Sequence, residues 1–186
     1  MSGPMNTEST PAGRYGTLDE PPPVTTDLRL LMAAFPTGVS VVTALGTPAV
    51  PRGMTCTSLC SVSLDPPVLL VCLRSDSPTR EAVASSGRFA VNLLHARALP
   101  VARLFASGLA DRFDRVEWHH GGGTAGPHLL ADAHTVADCS VLATHVVGTH
   151  TVVMGGVDQV TALGTQQPLM YGLRRYASWP DDSTPA

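Results

Sequence analysis

The chain has 186 residues, a hydrophobic share of 44% and a formal net charge of −3. This length supports one domain with a hydrophobic core, and the small negative charge gives no electrostatic reason to expect nucleic acid or an anionic membrane as partner. All 12 basic residues are arginine, which excludes a lysine Schiff base and leaves planar guanidinium groups to bind any phosphate.

The ends of the chain differ in composition from its middle. Residues 1–24 are rich in Pro, Gly, Ser and Thr, which predicts a flexible tail rather than the alternative, a docking arm for a partner. This segment lacks the apolar core of a signal peptide. Residues 178–186 are polar again and predict a second flexible tail. The folded domain is therefore expected at 25–177.

Four cysteines bear on the compartment. They lie in apolar or β-like sequence with no Cys-x-x-Cys pair, which favours buried free thiols over a disulfide or metal framework. These residues are Cys56, Cys60, Cys72 and Cys139. No segment approaches the roughly 18 consecutive apolar residues of a membrane helix. The sequence thus predicts a cytoplasmic protein without a membrane segment.

The first predicted elements are a short helix and a strand. Thr26 is the expected helix cap, and a 3.6-residue period predicts one apolar face. That face comprises Leu28, Leu31, Met32 and Phe35. Pro36 ends the helix. Residues 38–45 are β-branched and predict a strand, followed by a turn over 46–51.

Residues 52–67 are rich in hydroxyl groups and precede an apolar run at 68–73 that predicts a buried strand. As one strand, the hydroxyl-rich run would place alternate side chains on opposite faces. Short Ser and Thr side chains suit a site that hydrogen-bonds a flat polar ligand. The alternative is an edge strand whose hydroxyls face water.

A helix start follows the buried strand. Ser77 precedes Pro78, which places a capping hydroxyl before a proline at the first helical position. The exposed amides of that turn could hold a phosphate, assisted by Ser77, Thr79 and a nearby Arg74 or Arg80. A plain helix cap with solvated arginines is the alternative.

The second half of the chain predicts further β-structure. Strands are expected at 88–94, 135–147, 150–163 and 169–176, with a helix at 99–109 and loops over 111–130. About seven strands with few short helices favour an antiparallel barrel over a doubly wound parallel sheet. Gly53 and Gly155-Gly156 offer points at which such a barrel can bend.

Motifs for several enzyme classes are missing from the sequence. There is no Gly-x-Gly-x-x-Gly after a strand, no Gly-x-Ser-x-Gly, no phosphate-binding Walker loop and no His-Glu-x-x-His. His119 and His120 have no Cys, Asp or Glu at ligand spacing, so no metal site is expected. His145 and His150 have no marked nucleophile to pair with, which argues against acyl transfer.

Several short motifs occur in order along the chain: Phe35-Pro-Thr-Gly-Val-Ser-Val-Val-Thr43, Gly53-Met54-Thr55, Ser58, Ser61-Val-Ser-Leu-Asp-Pro-Pro67, Arg88-Phe-Ala-Val-Asn-Leu93, Asp111-Arg-Phe113 and Gly148-Thr-His-Thr-Val-Val-Met-Gly-Gly156. In this combination residues 25–177 resemble the short-chain flavin reductases, the NAD(P)H:flavin reductase components of two-component monooxygenases. The resemblance implies a mostly β, antiparallel FMN-binding split barrel that forms a homodimer.

The resemblance also implies an activity. Hydride would pass from C4 of NADH or NADPH to N5 of FMN or FAD, and the reduced flavin would diffuse to a flavin-dependent monooxygenase. A flavin ring accepts hydride itself, so no acid or base from the protein is required. Two alternatives stay open: a flavin-binding protein of this fold without turnover, and an oxidase or oxygenase that acts directly on a bound substrate.

Site residues follow from the resemblance alone. The flavin ring and ribityl chain would lie against Met54, Thr55, Cys56, Thr57 and Ser58, with Ser61 and Val62 close behind. Ser77 and Thr79 would approach the flavin phosphate. Thr37 would lie near the ring, Asn92 near the site, and Arg175 with Tyr176 would close the pocket. His150 would contact the nicotinamide.

Some of these residues could have a purely structural role, and the sequence differs from the family motifs at several positions. His150 could be a strand-start histidine bonded to backbone, and Asn92 and Tyr176 could be packing residues. Thr57 stands where an Asn or Ser is usual, and Cys60 stands where a hydroxyl residue is usual. The C-terminal run Tyr171-Gly-Leu-Arg-Arg-Tyr176 departs from a Gly-Arg-Tyr ending. These departures leave the choice between FMN and FAD open.

Overall fold

The computed structural model describes residues 26–120 and 123–179. The tails predicted at 1–24 and 178–186 lie outside these residues, apart from positions 178 and 179, and the domain boundaries stay a prediction. Within the described ranges no helix has the length and apolar character needed to cross a membrane.

Strands dominate the part of the chain that the structure describes. They are β1 (Thr37–Gly38), β2 (Ser40–Gly46), β3 (Val50–Cys56), β4 (Cys60–Leu64), β5 (Pro67–Arg74), β6 (Arg88–Leu94), β7 (Ala133–Val147), β8 (His150–Ala162), β9 (Leu169–Gly172) and β10 (Arg175–Ser178). The α-helices are α1 (Leu28–Ala33), α2 (Pro78–Ser86) and α3 (Leu99–Ala106), and short 3₁₀ turns lie at Ala96–Ala98 and Arg112–Arg115.

The strands form two antiparallel sheets. The larger has seven strands in the order β3-β2-β6-β7-β8-β5-β4, and the smaller has three in the order β1-β9-β10. Every strand pair in both sheets is antiparallel. The expectation of a mostly β, antiparallel fold with few short helices is therefore confirmed.

Strand β2 is central because helices cover it on both faces. Val42 packs in an apolar cluster that contains Val83 of α2, whereas Val41 packs in a second cluster that contains Phe105 of α3. A strand buried on both faces has no polar side to alternate with. This explains why the sequence of β2 is a continuous apolar and β-branched run.

The hydroxyl-rich run, expected as one strand, is two strands. β3 ends at Cys56 and β4 begins at Cys60, and the two strands lie at opposite edges of the seven-stranded sheet. Residues 57–59, the crossing segment, connect them. The hydroxyl of Ser58 fixes this crossing, since it donates to the Cys72 carbonyl over 3.1 Å and accepts from the Cys72 amide over 2.9 Å. The period-2 pattern carries no sign of this exit from the sheet.

Three smaller expectations are also corrected. The cap of α1 is Asp27, which accepts from the Arg29 amide over 3.0 Å, rather than Thr26. Cys60 is exposed, because it begins an edge strand. The strand predicted at 169–176 is a hairpin, in which β9 and β10 pair through Gly172 and Arg175. The apolar face of α1 does form, but it is exposed in this chain.

Other local predictions are confirmed. Ser77 caps α2 by accepting from the Arg80 amide over 3.1 Å, and Gly87 ends the helix at a φ of 67°. Such a positive φ favours glycine because it has no Cβ. A β-bulge in the neighbouring strand, between Val141 and Ala143, lies opposite Gly155, and the bend expected at Gly155 itself stays a prediction.

Candidate functional site

The hydroxyl-rich run borders several clefts in succession. The β3–α2 cleft has a volume of 390 Å³ and is lined by Met54, Thr55, Arg74, Asp76, Ser77, Pro78, Thr79, Phe105, Ala106, Gly108 and Arg112. Three further clefts, of 460, 280 and 670 Å³, all include Thr57 in their lining. The largest of these, the α1 cleft, also contains Thr37 and Ser58. Consecutive parts of one segment thus face different clefts.

The β3–α2 cleft has the features of an anion site. The amino end of α2, with Ser77 and Thr79, lies along it, and backbone amides at such an end favour negative charge. Partial burial lowers the pKa of the Arg112 guanidinium, and the positive charge of Arg52 lowers it further. A bound anion would reduce the electrostatic repulsion between these two guanidinium groups.

Among the described residues, Asp76 has the one carboxylate that lines this cleft, and it is already paired. Arg74 donates to Asp76 over 2.7 Å, and this hydrogen bond lowers the pKa of the Asp76 carboxyl. His150 stands opposite Arg74 in the β5–β8 register, and its positive form also favours the ionised Asp76. His150 therefore neighbours the Arg74–Asp76 pair of the β3–α2 cleft without itself lining the cleft, and its ring nitrogen contacts the hydroxyl of Thr149 over 3.0 Å.

The wall formed by β3 is held firmly against α3. Thr55 donates its hydroxyl to the Ala102 carbonyl over 2.6 Å. A Cβ at Gly53 would lie 3.0 Å from the Phe105 ring and 3.1 Å from the Phe113 ring, so any larger residue here would press on both rings. Those two rings meet edge to face with centroids 5.1 Å apart. Gly53 serves packing here, in addition to any bend.

Hydroxyl groups around the clefts fall into two classes. Those of Thr55, Ser58 and Ser77 are already bonded to backbone. Within the described residues, the hydroxyls of Thr37, Thr57 and Thr79 make no hydrogen bond. Free hydroxyls at cleft walls can bind a ligand without losing an internal partner. The bonded ones instead fix the shape of the wall.

Cys56 lies between the clefts and belongs to the core. It is buried, and burial raises the pKa of its thiol. Its sulfur lies 3.1 Å from the hydroxyl of Ser58. A ligand can therefore reach Cys56 only through its backbone, as the resemblance implies for this strand.

A second charged cleft lies beyond Thr57. The arginine cleft, of 460 Å³, is lined by Thr57, Leu99, Arg103, Tyr171, Arg174, Arg175 and Tyr176. Tyr171 and Tyr176 contact each other with ring centroids 5.0 Å apart. Burial raises the pKa of the Tyr176 phenol, Tyr171 adds to the shift, and the positive charge of Arg103 opposes it. The structure thus brings Thr57, Arg175 and Tyr176 to one cleft, and their roles toward a cofactor stay a prediction.

Asn92 does not join these residues. It is 0% exposed, its amide nitrogen donates to the Val41 carbonyl over 3.1 Å, and its oxygen accepts from the Leu129 amide over 2.8 Å. The neighbouring Thr43 hydroxyl donates to the Pro127 carbonyl over 2.6 Å. Together these bonds attach residues 125–129 to the sheet. This geometry favours the packing alternative for Asn92.

Ser61 and Val62 also stand apart from the clefts. Both are exposed on β4, the opposite edge strand of the seven-stranded sheet from β3. Ser61 pairs with Leu69 of β5, and the register shifts between Ser61 and Ser63. A cofactor contact for Ser61 or Val62 would therefore need a surface other than those formed around Thr57.

Sequence reasoning missed the contribution of α3 and its surroundings. Phe105, Gly108 and Arg112 complete the β3–α2 cleft, and Arg103 and Arg174 contribute to the arginine cleft. The motif Asp111-Arg-Phe113 was a signal, because its arginine lines the cleft. No local pattern marked Arg103, since it is brought to the site by tertiary packing. Within residues 26–120 and 123–179 no group of His, Cys, Asp and Glu could hold a metal.

Comparison with known proteins identifies the family of this chain. The family model described as "Flavin reductase like domain" matches residues 32–180. The chain belongs to this family. It is 50% identical over 153 residues to the flavin reductase (NADPH) of Lentzea aerocolonigenes, covering 82% of this chain and 89% of that protein. It is 42% identical over 159 residues to the flavin reductase (NADH) of Kitasatospora aureofaciens, covering 83% and 82%.

Solved structures agree with the family assignment. The NADH:FAD oxidoreductase of Streptomyces globisporus, solved with NAD and FAD fragments, is 34% identical with a TM-score of 0.77, over 84% of this chain and 93% of that one. The styrene monooxygenase flavin reductase of Pseudomonas putida S12 is 29% identical with a TM-score of 0.74, over 83% and 98%. The split-barrel fold predicted from the resemblance is therefore confirmed.

Proposed function

We propose that this protein is an NAD(P)H-dependent flavin reductase that supplies reduced FMN or FAD to a separate flavin-dependent monooxygenase. The observation that carries the proposal is that one short segment borders two clefts in succession: Met54 and Thr55 line the β3–α2 cleft with the amino end of α2, and Thr57, with its unbonded hydroxyl, lines the next cleft. We call this segment, together with the amino end of α2, the flavin wall. One end of this wall suits an anion and the other a flat polar group. The names of the family relatives support the same activity.

The residues of the β3–α2 cleft fit a flavin phosphate. Ser77 and the first-turn amides of α2 supply directed dipoles, Thr79 supplies an unbonded hydroxyl, and Arg112 supplies charge. Asp76 would repel a phosphate, but its charge is compensated by Arg74. The same chemistry serves FMN and the proximal phosphate of FAD, so this cleft alone does not select between them.

The rest of the wall would bind and orient the flavin ring. When bound, the flavin supplies a ring that accepts hydride from a reduced nicotinamide. The chain contributes backbone groups and side chains of Met54, Thr55, Cys56, Thr57 and Ser58, and Thr37 across the α1 cleft. Internal hydrogen bonds of Thr55 and Ser58 keep this surface in one shape, which lowers the entropy lost on binding.

His150 is proposed to position the nicotinamide. Its exposed ring, which neighbours the Arg74–Asp76 pair of the β3–α2 cleft, contacts the side chain of Thr149 rather than a backbone group. A His150→Asn variant is expected to raise KM for the nicotinamide with little change in flavin affinity, because the flavin wall does not include His150. Equal loss of both affinities would assign His150 a structural role instead.

The proposal is tested by turnover. Purified protein with FMN or FAD should oxidise NADH or NADPH. The oxidation is measured as the loss of absorbance of the reduced nicotinamide, and reactions without flavin serve as the control.

A Thr79→Val variant should bind FMN about tenfold more weakly, since one hydrogen bond to a charged group is lost, and its affinity for riboflavin should be unchanged. Tight flavin binding without oxidation of either nicotinamide would instead identify a flavin-binding protein.

We also infer that the protein is a homodimer. Apolar side chains are exposed on β4 and β7, including Leu64 at 88% and Val146 at 74%, beside Val62, Leu142 and Val147. Exposed apolar side chains on two strands of the same sheet favour an interface. A Leu64→Glu variant should sediment as a monomer, whereas Leu130→Glu, at an exposed leucine outside these strands, should not change the sedimentation of the wild type. Wild-type protein that sediments as a monomer would contradict the inference.

A cytoplasmic location is part of the proposal. All four cysteines are free, and Cys60 is exposed. Free exposed thiols persist in reducing compartments, and NAD(P)H-dependent reduction needs a supply of reduced nicotinamide. Fractionation of the host cells would test this location.

A further inference from the structure

The arginine cleft carries more positive charge than the flavin wall uses. Arg103, Arg174 and Arg175 all line it, and none of the Asp and Glu residues that the structure describes does. Within the described residues none of the three guanidinium groups forms an ion pair or hydrogen bond. Other arginines close to clefts are already engaged, such as Arg74 with Asp76 and Arg80 with the Ser75 carbonyl. Three unpaired guanidinium groups around one cavity form a site for an anion.

The backbone that presents Arg174 is strained. Leu173 and Arg174 join β9 to β10 with φ values of 50° and 58°. A two-residue hairpin with both residues at positive φ normally contains Asn and Gly, because a Cβ is unfavourable there. Leu-Arg at these positions costs stability, and such strain is found where a side chain has a function. The strained turn holds Arg174 between the arginine cleft and the α1 cleft, both of which it lines.

The arginine cleft is separate from the anion site at α2. The linings of the two clefts share no residue. Thr57, at the ring end of the proposed flavin wall, borders the arginine cleft, whereas Ser77 and Thr79 border the other. If the flavin binds as proposed above, on which this inference rests, its proximal phosphate lies at α2. The charge beyond Thr57 must then serve a different phosphate.

We propose that Arg103, Arg174 and Arg175 form a second phosphate subsite, which binds the adenosine 2′-phosphate of NADPH and so selects NADPH over NADH. Planar guanidinium groups bind phosphate oxygens in pairs, and Tyr171 and Tyr176 provide aromatic surface for an adenine beside them. The distal diphosphate of FAD has the same chemistry and is the competing source of the anion.

The test uses two variants and one matched control. Arg103→Gln removes the charge on α3, and Arg174→Asn removes the charge while keeping a residue that tolerates positive φ. Arg97→Gln, at an exposed arginine that lines neither cleft, is the control. Binding of NADP⁺, NAD⁺ and adenosine 2′,5′-bisphosphate is measured by calorimetry without turnover. KM values for NADPH, NADH, FMN and FAD are measured alongside.

The expected result is a loss of discrimination. Each cleft variant should bind NADP⁺ and adenosine 2′,5′-bisphosphate at least about tenfold more weakly, because one hydrogen bond to a charged group is lost. Its affinity for NAD⁺ should change little. The Arg97→Gln control should match the wild type. Unchanged NADP⁺ binding, or equal loss for NADP⁺ and NAD⁺, overturns the proposal. A loss confined to FAD, with FMN unaffected, overturns the 2′-phosphate assignment and assigns the subsite to the FAD diphosphate.

The two proposals fail in different ways. A protein that binds NADP⁺ in preference to NAD⁺ through these arginines, but reduces no flavin, refutes the proposed reductase activity and retains the subsite. A protein that reduces flavin equally well with and without these arginines, and with unaltered nicotinamide preference, retains the reductase activity and refutes the subsite.

Discussion

The flavin wall and the arginine cleft meet at Thr57, yet they are built differently. Along the wall, the side chains of Thr55, Ser58 and Ser77 have internal hydrogen-bond partners, and none of these three residues has a positive φ. In the arginine cleft three guanidinium groups lack partners within the described residues, and the turn at Leu173 and Arg174 is strained. In the flavin wall, internal hydrogen bonds fix the shape of the surface, whereas in the arginine cleft the positive charge is available to a ligand.

This contrast separates residues that hold the frame from residues that contact a ligand. Frame residues should affect the free energy of unfolding more than ligand affinity. Ligand residues should show the reverse.

Asn92→Leu should give the largest loss of stability. It removes bonds to the Val41 carbonyl and the Leu129 amide inside the core, and each unsatisfied buried group costs about 1–3 kcal/mol. The free energy of unfolding in urea should fall by about 3 kcal/mol or more. The FMN affinity of the folded fraction should be unchanged. A loss of affinity without loss of stability would instead make Asn92 a ligand residue.

Ser77→Asp should separate the two roles of the α2 cap. Aspartate is as good a helix cap as serine, so thermal stability should stay within about 0.5 kcal/mol of wild type. Its negative charge would repel a phosphate in the β3–α2 cleft, so FMN should bind at least about tenfold more weakly. Riboflavin, which has no phosphate, is the control ligand and should bind as before. Unchanged FMN affinity would place the phosphate elsewhere.

Cys139 should make stability depend on alkaline pH. Burial raises the pKa of its thiol to about 12, from 9.0. Above pH 9 the unfolded chain loses this proton while the folded chain keeps it, so the free energy of unfolding falls as pH rises towards 12. The slope is at most about 1.4 kcal/mol per pH unit for this one group. Comparing wild type with Cys139→Ala by urea unfolding at pH 8 and 10 should show a smaller pH dependence in the variant.

Leu173→Asn should give the smallest effect, and a favourable one. Asparagine tolerates the positive φ of this turn better than leucine does. The free energy of unfolding should therefore rise by about 0.5–1 kcal/mol, which is measured as a higher melting temperature. Arg174 keeps its charge and its place, so NADP⁺ binding should persist. A variant less stable than wild type would show that Leu173 packs in the fold rather than straining it.

The sequence predicted the strands and the start of α2 better than it predicted the arginine cleft. Apolar runs predicted β2, β5 and β6, and Ser77-Pro78 predicted the start of α2, because these signals depend on neighbours in the chain. The exit of residues 57–59 from the sheet was missed, because Ser and Thr alternate equally well in a strand or a crossing. The hairpin at 172–175 was missed because Leu-Arg lacks the usual turn residues.

By itself, the order of motifs and the spacing of apolar residues determined the family, the antiparallel β-fold and most of the wall from Met54 to Thr57. The folded arrangement was needed to see that Asn92 lies in the core, that Arg112 completes the β3–α2 cleft, and that Arg103 lines one cavity with Arg174 and Arg175. The physical reason is separation along the chain. Local patterns record what each segment prefers, whereas the arginine cleft joins α3 to a hairpin about 70 residues away, and only packing brings those charges together.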